Sequence, residues 1–163
     1  MKALYTALIL IFLCGCSPDA QVSSYVGGGF CFTPASVTIN RLSEISMIDD
    51  YNNVARIKLF IDVADSFGDN MKAPGVFRLE LYEYRNLSAE NIGVRIYDWP
   101  EIDLSDSTVN QSFWQDSLRS YMFSLDIDRK LEKTAKYVVL VTFISGGGQL
   151  RFTNTRTIEY YGK

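Results

Sequence analysis

The 163-residue sequence contains no histidine, only three cysteines and four prolines, and no long block of charges of one sign. Without histidine, neither a Ser-His-Asp triad nor a Cys-His pair can form, and the usual zinc ligand sets are incomplete. A net charge of −3 with scattered Lys and Arg excludes the basic surface that nucleic-acid binding requires. The sequence therefore predicts a protein that is not an enzyme and that binds no nucleic acid.

The first sixteen residues have the order of features of an export signal. Lys2 gives a positive start, residues 3–13 are apolar, and the small residue Gly15 precedes Cys16. A helix of that apolar length rises about 16 Å, roughly half of a hydrocarbon core, so the pattern favours a cleaved segment over a membrane span. An ordinary secretory signal cleaved near Ala20 is the alternative.

The sequence Leu13-Cys14-Gly15-Cys16 resembles the lipobox of bacterial lipoproteins, and the resemblance covers residues 1–16. It implies that residues 1–15 are a signal peptide and that Cys16 carries a diacylglyceryl thioether and usually an acylated amine, for example with palmitate. Several acyl chains on one residue satisfy the requirement for stable anchoring. The resemblance, with Ser17 next, implies a lipid anchor in the bacterial cell envelope, at an outer membrane, facing the periplasm or the cell exterior.

Cys31 is then the only free thiol, so no intramolecular disulfide can form and the domain must be held by its core. Cys31 is either a reactive thiol or part of the apolar packing triplet Phe30-Cys31-Phe32, and the absence of a histidine base favours packing. Residues 17–29 are polar and small and end in the glycine triplet 27–29, and residues 16–32 are therefore predicted to be the lipidated cysteine and a flexible tether. The folded domain is predicted to cover residues 33–163.

Beyond the tether, apolar residues recur with a period of two in runs separated by turn residues, which is typical of half-buried strands. The runs lie at 36–42, 54–63, 76–84, 93–98, 118–127, 137–144 and 149–160. The glycines at 146–148 predict a hairpin between the last two, and residues 110–114 predict one helical turn. The fold class is therefore all-β, an antiparallel β-sandwich of about seven strands.

The stretch from Leu131 to Tyr137, which leads into the apolar residues 138–141, resembles the corner before the penultimate strand of immunoglobulin-like and fibronectin type III-like domains. The resemblance implies that the Tyr137 hydroxyl bonds to the backbone of this loop. It covers the last third of the chain, and the cysteine pair and core tryptophan of immunoglobulin domains are absent in register. Transthyretin-like and C2-like sandwiches have a similar number of strands, so the topology stays open.

Aromatic side chains near the end of the third and fourth runs form the candidate binding surface. Tyr and Trp suit binding because they combine a large area with a polar group. The residues are Tyr82, Tyr84, Tyr97 and Trp99. In the alternative interpretation this face is covered by residues 101–116, with Phe113 and Trp114 packed on it, because a bare aromatic patch is a liability.

Asp62, Asp65 and Asp69 are the candidate metal ligands. They lie in and beside a loop at the end of a strand, where loops of C2-like and cadherin-like sandwiches supply oxygen ligands to calcium. The spacing lacks the Asp-x-Asp-x-Asp-Gly pattern of a dedicated calcium loop, and aspartate is an ordinary turn residue. No other cofactor is predicted.

The predicted function is that of a lipid-anchored envelope protein, attached to the membrane through its N-terminal lipid. It acts as a non-catalytic structural or interaction module for a partner protein of the envelope, by edge-strand pairing or a loop surface. The alternative is a module that binds carbohydrate, peptide or calcium. An envelope hydrolase would need paired carboxylates across a cleft, and the sequence contains no pattern that places them there.

Overall fold

The computed structural model describes residues 33–49, 51, 54–86, 91–132, 135–148 and 150–161. The described strands are β1 (Ser36–Ile39), β2 (Glu44–Asp49), β3 (Val54–Ala64), β4 (Gly75–Tyr84), β5 (Ile92–Asp98), β6 (Ile102–Asp103), β7 (Trp114–Gln115), β8 (Ser120–Ile127), β9 (Ala135–Ser145) and β10 (Arg151–Tyr160). One helix, α1 (Ser107–Phe113), lies between β6 and β7. Within the described ranges, no helix has the length and apolarity to cross a membrane.

The strands form two antiparallel sheets that pack face to face. The first sheet, sheet A, has the order β1-β3-β8-β7, with β2 also paired to β3. The second, sheet B, has the order β10-β9-β4-β5, with β6 also paired to β4. The protein is therefore an all-β sandwich, as the sequence predicts.

Alternation along the strands explains why the sheets pack on each other. In β3, the side chains of Ile57, Leu59, Ile61 and Val63 are fully buried, whereas Lys58 on the opposite face is exposed. In β4, Phe77 lies at the centre of an aromatic cluster, with its ring 4.7–5.4 Å from three other rings. Sheet faces that are apolar on one side are stable only when that side is covered, so the two sheets share one core.

The seven predicted strands are all present, with ends shifted by a few residues at most. The sequence analysis assigns no structure to the residues of β2, although Glu44, Ile45 and Ser46 alternate in burial after the turn at residues 41–42. It also missed β6 and β7, which are two residues long and whose pairing is set by the sheets beside them. The helical turn predicted at 110–114 is a longer helix that begins earlier, because the Asp106 side chain accepts hydrogen bonds from the Thr108 and Val109 amides.

The inner strands are β3 and β8 in sheet A and β9 and β4 in sheet B. The penultimate strand, β9, contains Tyr137 near its start, next to the loop to which the sequence predicts that this tyrosine bonds. Its hydroxyl accepts a hydrogen bond from the Glu132 amide at 2.7 Å and lies 3.3 Å from the Glu132 carbonyl oxygen, which confirms the predicted bond to the loop backbone.

Candidate interaction surface

The loops gather at two ends of the sandwich. Thr33 and Pro34 lead into β1 at one end, which we call the N-terminal pole, where the Ala35 amide donates to the Ala64 carbonyl at the end of β3 (2.8 Å). The opposite end, the cleft pole, contains the start of β3, the end of β4 and the β8–β9 connection. Strand β3 has 11 residues and so separates the poles by about 33 Å.

An open cleft of about 540 Å³ lies at the cleft pole. Its walls come from the end of β4, the middle of β5, the start of β9 and the β8–β9 loop at 129–132. The lining is mostly polar and carries four cations and two carboxylates: Arg95, Arg129, Lys130, Lys136, Glu83 and Glu132. The cleft therefore presents charged and hydrogen-bonding groups of both signs around a space large enough for a peptide segment or a small ligand.

Two side chains hold the walls of this cleft in place. Tyr137, which is buried, ties the β8–β9 loop to β9 through Glu132, and burial is the main cause that raises the pKa of this tyrosine. Arg129 extends from the same loop to β5, where its guanidinium donates to the Ile96 carbonyl oxygen at 2.8 Å. The loop is thus fixed to both neighbouring strands of sheet B.

Strand β5 is the outermost strand on its side of sheet B among the described residues. Val94 in its middle is 67% exposed beside the cleft. A Cβ atom at Gly93 would lie 2.8 Å from the Glu83 carbonyl oxygen, so glycine permits the close approach of β5 to β4 there. An edge strand with an exposed β-branched residue is a template for pairing with a further strand.

Of the four aromatic residues predicted to form a binding surface, Tyr82 and Tyr84 lie half-buried on β4, and Tyr84 lines the cleft. The Tyr82 hydroxyl donates to Glu80 Oε1 at 3.2 Å, and the same oxygen accepts a hydrogen bond from Arg95 at 2.9 Å. Burial, and next the Glu80 carboxylate, raise the pKa of Tyr82. The Lys136 ammonium lies 5.9 Å from the Tyr84 ring centroid and pairs with Glu159 at 3.0 Å.

Tyr97 and Trp99 are placed differently from this prediction. Trp99 is only 9% exposed, and its indole N–H donates to the Asp126 carbonyl oxygen at 2.9 Å, so the expectation that it projects from the surface is wrong. Tyr97 packs against it with ring centroids 5.1 Å apart. The hydrogen bond to Asp128, followed by burial, raises the pKa of Tyr97. Both rings therefore close the core between the sheets.

The alternative interpretation, in which residues 101–116 cover Tyr82 and Tyr84, is also wrong, because Phe113 and Trp114 contact other residues. Phe113 packs on Phe123 (5.2 Å) and Trp114 on Tyr121 (5.1 Å), both in strand β8 of sheet A. The segment instead closes the N-terminal pole, because the pairing of β6 with the start of β4 directs it there. Periodicity alone could not show which sheet would receive these two aromatic rings.

Of the three predicted calcium ligands, Asp62 and Asp65 bond to different partners, and Asp69 bonds to Asp65 through its backbone. Asp62 lies on the outer face of sheet A, where it accepts hydrogen bonds from the Asn40 side chain (3.1 Å) and from Ser120. Asp65 is 6% exposed, and its Oδ1 accepts from the Phe67 and Asp69 amides at 2.9 and 3.1 Å, which organises the β3–β4 loop. Among the described residues, no group of three or more potential ligands is arranged to hold a metal ion. The calcium site stays a prediction from the sequence.

Cys16, Cys31 and the tether at 16–32 lie outside the described residues. The sequence reasoning did not select Val94, Arg129 or Glu132, which shape the cleft. The signal was present as the charged run Asp128-Arg129-Lys130 between two strands, which reads equally well as a solvated loop.

No protein-family model matches the chain, and no curated protein matches it at a significant level. The class that the fold defines is an all-β sandwich of two antiparallel sheets, with a wide polar cleft at one end and the start of β1 at the other.

Proposed function

We propose that this protein is a lipid-anchored protein of the bacterial envelope that serves as a non-catalytic interaction module. One observation carries the proposal. The chain enters the sandwich at Thr33, at the N-terminal pole, whereas the cleft lies at the opposite pole. A lipid on Cys16 would then hold one end of the domain near the membrane and leave the cleft turned away from it.

Features of the cleft pole support binding of an extended segment from a partner protein. Val94 exposes an apolar side chain on an edge strand, and the adjacent loop is held by Arg129 and Tyr137. A preformed site of this kind binds without ordering its own backbone first, which favours affinity. A partner strand added to β5 would gain backbone hydrogen bonds, while its side chains would enter the cleft.

The non-catalytic part of the proposal rests on the sequence, which contains no histidine. Two of the cations that line the cleft have a structural role, because Arg95 forms an ion pair with Glu80 and Lys136 forms one with Glu159. A second candidate function, binding of a free peptide or carbohydrate, is supported by the cleft volume, which falls in the range of small-molecule sites.

The anchor is tested with Cys16→Ser in the producing bacterium. We expect the variant to leave the membrane fraction while its circular dichroism and unfolding midpoint stay those of the wild-type domain. A variant that remains fully attached to the membrane would contradict lipidation at Cys16.

The cleft is tested by pull-down of the lipidated protein from envelope extracts, in parallel with Val94→Asp. We expect a partner that binds the wild type and is lost with Val94→Asp, because a carboxylate on the β5 edge opposes strand addition. Leu42→Asp is the matched control, since Leu42 is 50% exposed in the β1–β2 turn, away from the cleft. Recovery of no partner, or equal loss with both variants, would contradict the interaction module.

A further inference from the structure

The N-terminal pole carries exposed apolar side chains on three separate connections. Phe67 in the β3–β4 loop is 69% exposed, Leu118 in the β7–β8 turn is 41% exposed, and Leu150 at the start of β10 is 48% exposed. Exposed apolar side chains such as Tyr51 and Tyr161 lie at the cleft pole as well, so the three residues are candidates for an interaction surface whose partner depends on what else lies at this pole.

The backbone beneath these side chains is held by hydrogen bonds. Asp65 Oδ1 accepts from the Phe67 amide at 2.9 Å, and Arg119, next to Leu118, donates to the Asn70 carbonyl oxygen at 2.6 Å. The Ser145 amide donates to the Leu150 carbonyl oxygen at 2.9 Å. Satisfied backbone groups are the condition for placing a loop in a poorly hydrated layer, so these tips are suited to the lipid–water interface.

The same pole is where the chain arrives from Cys16. Thr33 and Pro34 line an apolar groove of about 330 Å³ together with Met71, Pro74 and Leu150. Residues 17–32 connect this groove to the cysteine, and a chain of that length spans at most about 55 Å when fully extended. To bring the cleft pole to the bilayer instead, this tether would have to run back along the domain for about 33 Å, so an anchor on Cys16 favours contact of the N-terminal pole with the bilayer.

The charged residues at this pole favour insertion of apolar side chains into a bilayer over attraction of cations to anionic lipids. Lys72 and Arg119 stand beside Asp69 and Asp116, and Lys72 lies 3.8 Å from Asp116. Since cations and carboxylates are mixed, an anionic bilayer gains little from this surface, while Phe and Leu side chains gain from leaving water.

We infer that the N-terminal pole rests on the lipid surface, with Phe67, Leu118 and Leu150 in the interfacial layer. This inference rests on the proposed lipid anchor and adds to it a fixed orientation of the domain. The cleft then points away from the bilayer because of the fold, not only because of the tether.

The test uses the full lipidated chain in a Cys31→Ala background, reconstituted into vesicles of phosphatidylethanolamine and phosphatidylglycerol. An environment-sensitive dye is attached to Phe67→Cys or, as the control, to Val94→Cys at the cleft pole. The two positions are 69% and 67% exposed, so the dye has equal freedom at both. Quenching by lipids that carry a nitroxide near the headgroup reports contact with the bilayer.

We expect the dye at position 67 to be quenched several-fold more than the dye at position 94, at low and high phosphatidylglycerol content alike. Leu150→Cys should behave like Phe67→Cys and keeps the test valid if one labelled variant does not fold. Equal quenching at both poles would overturn the inference, as would a blue shift at position 67 without lipid quenching, which indicates contact with another protein copy. Failure of the unlabelled parent to float with vesicles would instead refute the anchor.

Discussion

The two poles of the sandwich are closed by different means. At the N-terminal pole, residues 101–116 add β6, α1 and β7, and Tyr121 joins α1 to the β3–β4 connection through buried hydrogen bonds to Asn110 and Ala73. At the cleft pole, the connection from β8 to β9 crosses between the sheets, and its described residues are held by Tyr137 and Arg129. One core thus supports a filled end and an open end, and the open end is available for binding because its connection is short.

Replacing a glycine by alanine is expected to give the largest difference in stability between the two poles. A Cβ at Gly75, at the N-terminal pole, would lie 2.4 Å from the Ile144 carbonyl oxygen and 2.6 Å from the Phe143 ring, both in the central strand β9. We expect Gly75→Ala to lower the free energy of unfolding by about 3 kcal/mol, since neither neighbour can move without disturbing the core.

Gly93→Ala at the cleft pole is the matched variant. Its nearest neighbour is the Glu83 carbonyl oxygen at 2.8 Å, near the end of β4, and edge strand β5 can shift to relieve the contact. We expect a loss of about 1 kcal/mol, measured by urea unfolding of both proteins. An equal loss at the two positions would show that the poles are equally rigid.

Removing one hydroxyl at each pole compares the two hydrogen-bond networks. The Tyr121 hydroxyl accepts from the Ala73 amide (2.8 Å) and bonds to Asn110 Oδ1 (3.0 Å), and all three groups are buried. We expect Tyr121→Phe to cost about 2 kcal/mol, because two buried polar groups lose their partner.

Tyr137→Phe should cost about 1 kcal/mol, because the Glu132 amide that it releases is only partly buried and can bond to water. Urea unfolding of both variants shows which of the two substitutions costs more stability. A larger loss for Tyr137→Phe would reverse the interpretation that the N-terminal pole is the more tightly closed end.

Acid pH is expected to give the smallest difference in stability between the poles. At the cleft-pole end of β3, Arg56 bonds to both carboxylate oxygens of Asp126 at 2.6 and 3.1 Å, and this lowers the pKa of Asp126. A lowered pKa in the folded state gives stability that is present above the unfolded value, about 3.9, and is lost as pH falls through the folded value.

Unfolding curves should therefore show a slightly steeper loss of stability below about pH 4 in the wild type than in Arg56→Gln. At the N-terminal pole, a hydrogen bond from Ser105 lowers the pKa of Asp103, and Ser105→Ala should flatten the acid slope in the same direction. Identical slopes in all three proteins would contradict both assignments.

Much of the fold was predictable because burial in a half-buried strand follows a period of two. Ile57, Leu59, Ile61 and Val63 needed no tertiary information to be assigned to one face, since any sheet that covers that face covers all four. The Tyr137 corner was predictable for a related reason, as the loop that it bonds is only five residues away.

The candidate site was less predictable because it is assembled from distant segments. Arg129 reaches Ile96, 33 residues earlier in the sequence, and the Ile39 amide of β1 donates to Asn154 of β10, 115 residues later. Trp99 was predicted at the surface with three tyrosines, yet its ring is buried and its indole N–H bonds to the backbone of Asp126, 27 residues later in the sequence.

By itself the sequence determined the fold class and seven of the described strands, because these depend on local periodicity and on the side chains that a turn accepts. It also carries the lipobox pattern at Cys16, which remains a prediction. Tertiary structure alone decided that residues 101–116 fill one pole, that Asp62 and Asp65 bond to different partners, and that a cleft opens beside Val94. The physical reason is that cavities and edges depend on how the two sheets and their connections meet, and no local pattern along the chain encodes that.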